Sequence, residues 1–296
     1  MRTDCASRPE TSVSAGQEAF FLTSAAGRLF CLFRAGVAQS SRHGGFGQPA
    51  VLVLPAFAEE MNKTRRMVSL FAQRAQAAGI STLIPDLYGT GDSEGDFGAA
   101  TLETWAADLQ RCLSWLVQSC PVPVSILAVR CGALLLDLLP TDRPPGGRLV
   151  LWQPVVSGKV FVNQFLRLKL AGDLLSRGEG QTDSAALRQE LQQAGRIEVA
   201  GYDVKRELLS GIEAVELRNT SVTRYSHVTA FEVAAADSEA VSPALDRVLS
   251  TWRNAGANVS SRAVQGDPFW ATTEIATVPG LLDQTVADLT NPGDGL

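Results

Sequence analysis

Apolar residues along this chain fall into two alternating rhythms: short runs closed by turn residues, and longer segments with apolar positions near the helical period. Ala50–Leu54 is an unbroken apolar run, as a strand buried on both faces requires. Lys63–Ala78 places Met67, Leu70, Phe71 and Ala75 near the helical period and stops at Gly79. The alternation continues with a strand at Ile80–Ile84, a helix at Thr101–Gln118, a strand at Val124–Val129, a helix at Cys131–Leu139 and a strand at Arg148–Trp152. Glu18–Leu22 and Arg28–Arg34 flank Ala25-Ala26-Gly27 and predict an edge hairpin, with a Gly/Ser-rich loop at Ser40–Gln48 after it. This is the signature of βαβ units in a mostly parallel, doubly wound sheet, an α/β fold class.

From Val160 to about Leu217 the strand rhythm fails: Phe161–Leu175 and Ser184–Gly195 read as helices joined by a polar linker, Gly178–Thr182. The rhythm resumes with Val228–Ala234, a helix at Pro243–Ala255, a strand at Asn258–Val264 and a helix at Thr272–Ala287. The expected organisation is a core at 18–157 and 218–288, a helical cap inserted at 158–217, and tails at 1–17 and 289–296. A chain of 296 residues can bury a core of that size. Its formal net charge is −5 with no basic block, which argues against nucleic acid as a partner. Apolar runs such as Ala133–Leu139 are too short for a transmembrane segment, and Met1–Gln17 has no apolar signal-peptide region. Five cysteines (Cys5, Cys31, Cys112, Cys120, Cys131) lack CxxC spacing, so they read as free thiols in a reducing, cytoplasmic setting, with no metal site or cofactor expected. The oligomeric state stays open.

Candidate chemistry centres on the junction between the strand at Val124 and the helix behind it. A strand, a sharp turn and a helix there would carry a nucleophile elbow, G-x-S-x-G. The pentapeptide is Ala128-Val129-Arg130-Cys131-Gly132, so Arg130 holds the nucleophile position, and a guanidinium offers only donors. A literal match, Gly91-Asp92-Ser93-Glu94-Gly95, lies nine residues beyond its strand with no helix directly behind, and Ser93 is read as a loop residue. Phe57 or Ala58, after the first central strand, would supply one oxyanion N–H, and Cys131 another. Cys131 is weighed as a thiol activated beside Arg130 against a small buried residue, and the second reading is preferred. Asp237 occupies the place of a triad acid, and Asp267 stands where the base histidine belongs. Neither of the two histidines, His43 and His227, fits the order nucleophile, acid, histidine. Glu59 and Glu60 read as loop carboxylates, and Arg130 is expected to pair with Glu60, Asp237 or Asp267, or to take an anionic ligand.

Four stretches together carry a family resemblance: Pro55–Arg66 (PAFAEEMNKTRR), the loop DLYGTGDSEG, Trp152-Gln153-Pro154 with Gln164-Phe165-Leu166-Arg167, and Gly266–Trp270 with Glu274-Ile275. They resemble the exosortase A system-associated hydrolase 2 family, a bacterial branch of the α/β-hydrolase superfamily, over about residues 18–285. The resemblance implies an α/β-hydrolase fold with arginine as the usual elbow residue. It also implies a link to export systems that sort proteins with a C-terminal PEP-type signal (PEP-CTERM) and to exopolysaccharide production. Two functions follow as expectations. One is an acyl-ester or thioester hydrolase or acyl transferase working through a degenerate triad, with water activated by Asp267 or Glu60. The other is a catalytically silent pseudo-hydrolase that binds a small acyl or anionic ligand or a partner protein.

Overall fold

The computed structural model describes residues 16–37, 49–120, 122–141, 146–177, 184–235 and 240–290. The Ser40–Gln48 loop with His43, the Gly178–Thr182 linker, Cys5 and Asp237 lie outside the described residues.

β1 (Gln17–Thr23) and β2 (Arg28–Arg34) form the edge hairpin. They are followed by β3 (Ala50–Leu54), α1 (Glu59–Ala77), β4 (Ser81–Pro85), α2 (Leu102–Ser119), β5 (Val124–Val129) and β6 (Gly146–Trp152). After the cap come β9 (His227–Ala234), α6 (Pro243–Asn254), β10 (Val259–Gln265) and α7 (Pro279–Thr290). The sheet runs β1-β2-β4-β3-β5-β6-β9-β10, antiparallel at β1/β2 and β2/β4 and parallel elsewhere.

Strand alternation sorts the core into two layers. Leu52, Leu54, Ile126 and Leu151 pack with Leu109, Leu113, Leu249 and Trp252 of α2 and α6, while Val51, Val53, Leu127 and Val129 pack with Met67, Phe71, Leu281 and Leu282 of α1 and α7. Each fully buried Leu or Val contributes about 1.5–3 kcal/mol, so the central strands anchor everything set at their ends.

Between β6 and β9 the chain leaves the sheet through α3 (Gly158–Arg177), α4 (Ser184–Ala194) and α5 (Arg206–Glu213). This cap also holds a two-stranded antiparallel hairpin, β7 (Arg196–Val199) and β8 (Tyr202–Lys205), which the helical reading did not anticipate. Its two ends are clasped: Ser157 Oγ donates to Glu216 Oε1 at 2.6 Å, and the Gly158 N–H donates to the Val215 carbonyl at 2.9 Å. A Cβ on Gly158 would lie 1.8 Å from the Ile212 carbonyl oxygen, so only glycine lets α3 and α5 approach this closely.

Three further elements differ from the sequence expectation. α1 starts at Glu59 rather than Lys63, because Ala58 (φ 50°, ψ −124°) turns the chain into the helix early. Glu59 and Glu60 are therefore first-turn helical residues near the positive end of the helix dipole, not loop residues. The segment Arg130–Leu138 is a 3-10 helix, and Cys131–Leu136 is buried on every side, so no amphipathic stripe imposes the wider helical period. α7 starts at Pro279 rather than Thr272, since proline disfavours a helical conformation at the residue before it and suits the first helical position. Among the described residues no helix is long and apolar enough to cross a membrane.

Candidate functional site

All six residues of β5 are buried, and Arg130, directly after the strand, has φ 53°. A left-handed backbone at a residue with a long side chain is strained and persists only where its surroundings over-determine it. Gly132 makes the turn possible, since a Cβ there would sit 2.4 Å from the Leu54 carbonyl oxygen. Arg130 thus crowns a tight strand-to-helix turn at the C-terminal edge of the parallel sheet.

Each of its three guanidinium nitrogens donates a hydrogen bond. Nη2 donates to Glu60 Oε1 at 2.9 Å and Nε to Glu60 Oε2 at 3.2 Å, a bidentate pair. Nη1 donates to the Gln153 carbonyl at 3.1 Å, and the guanidinium carbon lies 4.8 Å from the centre of the Trp270 ring. The Arg130 and Glu60 side chains retain only 14% and 22% of their exposure. Gln153, with φ 43°, is itself fixed: its N–H donates to the Phe231 carbonyl and its Oε1 accepts from the Val233 N–H, both at 2.7 Å.

Of the two proposed Arg130 partners among the described residues, Glu60 and Asp267, Glu60 is the one that pairs with it. Asp267 is exposed, and among the described contacts it makes none with Arg130, because its turn orders Phe269 and Trp270 towards the core instead. The turn after β10 therefore delivers the Trp270 indole to the cation. Gln153 and Trp270 escaped assignment as site residues, although a polar residue closing an apolar strand at its C-terminal edge, and an aromatic in the turn after the last strand, are signals for such a site.

The other nucleophile candidates are occupied. The Cys131 thiol is buried, and burial and the Glu60 charge push its pKa well up, against a smaller opposing pull from Arg130. It stays a protonated thiol, not an attacking thiolate. Ser93 Oγ donates to the Asp86 carbonyl at 2.6 Å and accepts from the Phe30 N–H at 2.8 Å, which ties the loop after β4 to β2. His227 opens β9, at the edge of the sheet opposite the elbow, with Nε2 2.8 Å from Ser260 Oγ, and burial lowers its pKa.

Phe57 and Ala58 line the other side of the turn. Their amide N–H groups have no hydrogen-bond partner among the described residues. The Phe57 ring is the hub of an aromatic cluster, with centroids 5.4 Å from Phe97, 6.0 Å from Trp105, 5.8 Å from Phe161 and 5.2 Å from Phe165. Above it, α3 and the start of α1 enclose a recess of about 130 Å³ bordered by Glu59, Glu60, Phe161, Gln164, Phe165 and Leu168. The gap beside Cys131 and Leu135 is only about 10 Å³, room for one water at most. Among the described residues no three His, Cys, Asp or Glu side chains gather as a metal ion would need.

No family model and no curated protein matches the chain. Solved structures do. Est1E from Butyrivibrio proteoclasticus with ferulic acid bound superposes with a TM-score of 0.59 at 14% identity, covering 92% of this chain and 96% of that one. Mouse alpha/beta hydrolase domain-containing protein 10 gives 0.57 at 16% identity over 92% and 98% of the two chains. The fold is that of the α/β-hydrolases. The α/β hydrolase GrgF from Penicillium sp. sh18 agrees, with a TM-score of 0.57 at 15% identity over 93% and 98%. In this chain the strand-to-helix turn after β5 carries Arg130, ion-paired to Glu60.

Proposed function

We propose that this chain is an α/β-hydrolase-fold protein of the exosortase A system-associated hydrolase 2 kind that binds a ligand beneath its cap and performs no serine-type acyl transfer. The pairing of Arg130 with Glu60, with every guanidinium nitrogen hydrogen-bonded, carries this reading. A guanidinium matched by one carboxylate in two bonds, capped by a carbonyl and covered by an indole is a fixed structural pair, neither a nucleophile nor a free anion receptor. An anionic ligand, open as a possibility from sequence, is disfavoured at this point because Glu59 and Glu60 border the recess. The ligand is instead neutral or cationic, with an aromatic or apolar part against Phe57, Phe161 and Phe165 and a polar group within reach of Gln164.

A second reading, an ester or thioester hydrolase or transferase, is favoured by one observation. Ala58 keeps a left-handed turn and the Phe57 and Ala58 amides stay unpartnered, so a carbonyl oxygen could still be received. Water activated by Glu60 would then have to replace the serine.

The test treats the purified protein with a fluorophosphonate and with short and long acyl esters and thioesters, alongside Arg130→Ala, Glu60→Gln, Cys131→Ala and Ser93→Ala. No labelling and no turnover is the expected result. Turnover that disappears in Glu60→Gln overturns the binding reading in favour of the second. The tie to PEP-type sorting and exopolysaccharide is tested by deleting the gene and scoring both traits, with restoration expected from the wild-type chain.

A further inference from the structure

A separate recess lies away from the cap, between α1 and the sheet at β2, β4 and β3. Its volume is about 160 Å³, and Leu32, Val53, Met61, Val68 and Ile84 make its walls. It shares no lining residue with the recess beneath α3. Leu32 and Ile84, neighbours on β2 and β4, remain only half-buried, so apolar surface of the sheet is left uncovered here.

Two arginines stand at this recess. Arg65 is matched by the buried Asp86 at 3.1 Å. Arg34 has no such match: Nη1 donates to Gln76 Oε1 at 3.3 Å and Nη2 to Gln17 Oε1 at 2.5 Å, both neutral acceptors. Among the described residues no carboxylate lies within ion-pair distance of Arg34. A half-buried guanidinium with only neutral acceptors, beside an open apolar recess, is complementary to a small molecule with a hydrocarbon body and a carboxylate head. We propose that this recess binds a short-chain monocarboxylate, its tail between α1 and the sheet and its carboxylate on Arg34. The carboxylate would take the place of the Gln17 amide oxygen, exchanging a neutral acceptor for a charged one. The proposal stands independently of the elbow.

The probes are hexanoate, hexanol and hexylammonium, titrated calorimetrically into the full chain. Hexanoate is expected to bind, with hexanol about ten- to a hundredfold weaker, the worth of charge-assisted hydrogen bonds, and hexylammonium weaker still. Arg34→Gln should bring hexanoate down to the level of hexanol and leave hexanol unchanged, and Arg34→Lys should recover part of the loss. Ser69→Phe, which places a ring in the recess, should abolish binding of both. Thermal unfolding of each variant without ligand checks that it has folded. Absence of hexanoate binding, equal affinity for the three probes, or an unchanged hexanoate affinity in Arg34→Gln overturns the proposal. So does binding that survives Ser69→Phe and is lost in Phe161→Ala, which would put the ligand beneath the cap.

Discussion

A double-mutant cycle on Arg130 and Glu60 tests the central claim about the elbow. With charge centres about 4 Å apart, an effective dielectric near 20 gives roughly 4 kcal/mol of attraction, from which desolvation of two mostly buried groups must be subtracted. Side-chain exposures of 14% and 22% place the pair between the surface and the deep interior, so the expected coupling energy is about 1.5–3 kcal/mol. Glu60→Gln should cost about 2 kcal/mol, because the Gln153 carbonyl and Trp270 still hold the stranded cation. Arg130→Met should cost about 3 kcal/mol, since the indole contact goes with the pair and Glu60 is left to the helix dipole alone. The double variant should be no worse than Arg130→Met. Urea unfolding of the four proteins, with a shared m-value, gives the numbers. Additivity of the single effects within about 0.5 kcal/mol would refute the pair as an energetic unit.

Other expectations follow from single features. Ala58→Gly should stabilise by about 1 kcal/mol, relieving left-handed strain worth roughly 1–3 kcal/mol against the entropy of a freer unfolded chain, and a fall in the urea midpoint would contradict this. Ser93→Ala should cost about 1–2 kcal/mol by unfolding, because two bonds of the loop after β4 are lost. Gly158→Ala, forced against the Ile212 carbonyl, should make the cap the first place cut in limited proteolysis, and an unaltered digestion pattern would count against the clasp. His227, whose pKa is lowered by burial, binds its proton more readily unfolded than folded. Stability should therefore be whole above about pH 6.5 and fall as the pH drops below it, and His227→Gln should flatten that fall.

Much of the sheet was legible because its strands are buried on both faces and written almost wholly in apolar residues. Ala50–Leu54 could be read to the residue, and Arg130 stood out because an apolar strand and a small-residue turn framed it. What escaped was decided by tertiary contact. Arg196–Val199 and Tyr202–Lys205 alternate as strands do around an Ala200-Gly201 turn with positive φ at both residues, but four-residue strands inside a helical stretch give too short a signal. The partners Gln153 and Trp270 reach Arg130 from the ends of separate strands, and no spacing within the chain encodes that meeting. Asp267 was expected at the site, but it is exposed, and the packing of Phe269 against Trp152 decides which neighbour faces inward.

The clasp at Ser157–Glu216 and Gly158–Val215 has an evolutionary corollary. An excursion whose departure and return are stapled side by side puts little tension on the strands it interrupts, and lengthening it adds closure entropy only logarithmically. That makes the stretch an exchangeable cassette: swapping one version for another would reshape the recess under α3 while the scaffold beneath stays untouched. Outright removal is a different matter, since Phe57 would lose the two rings, Phe161 and Phe165, that shelter it.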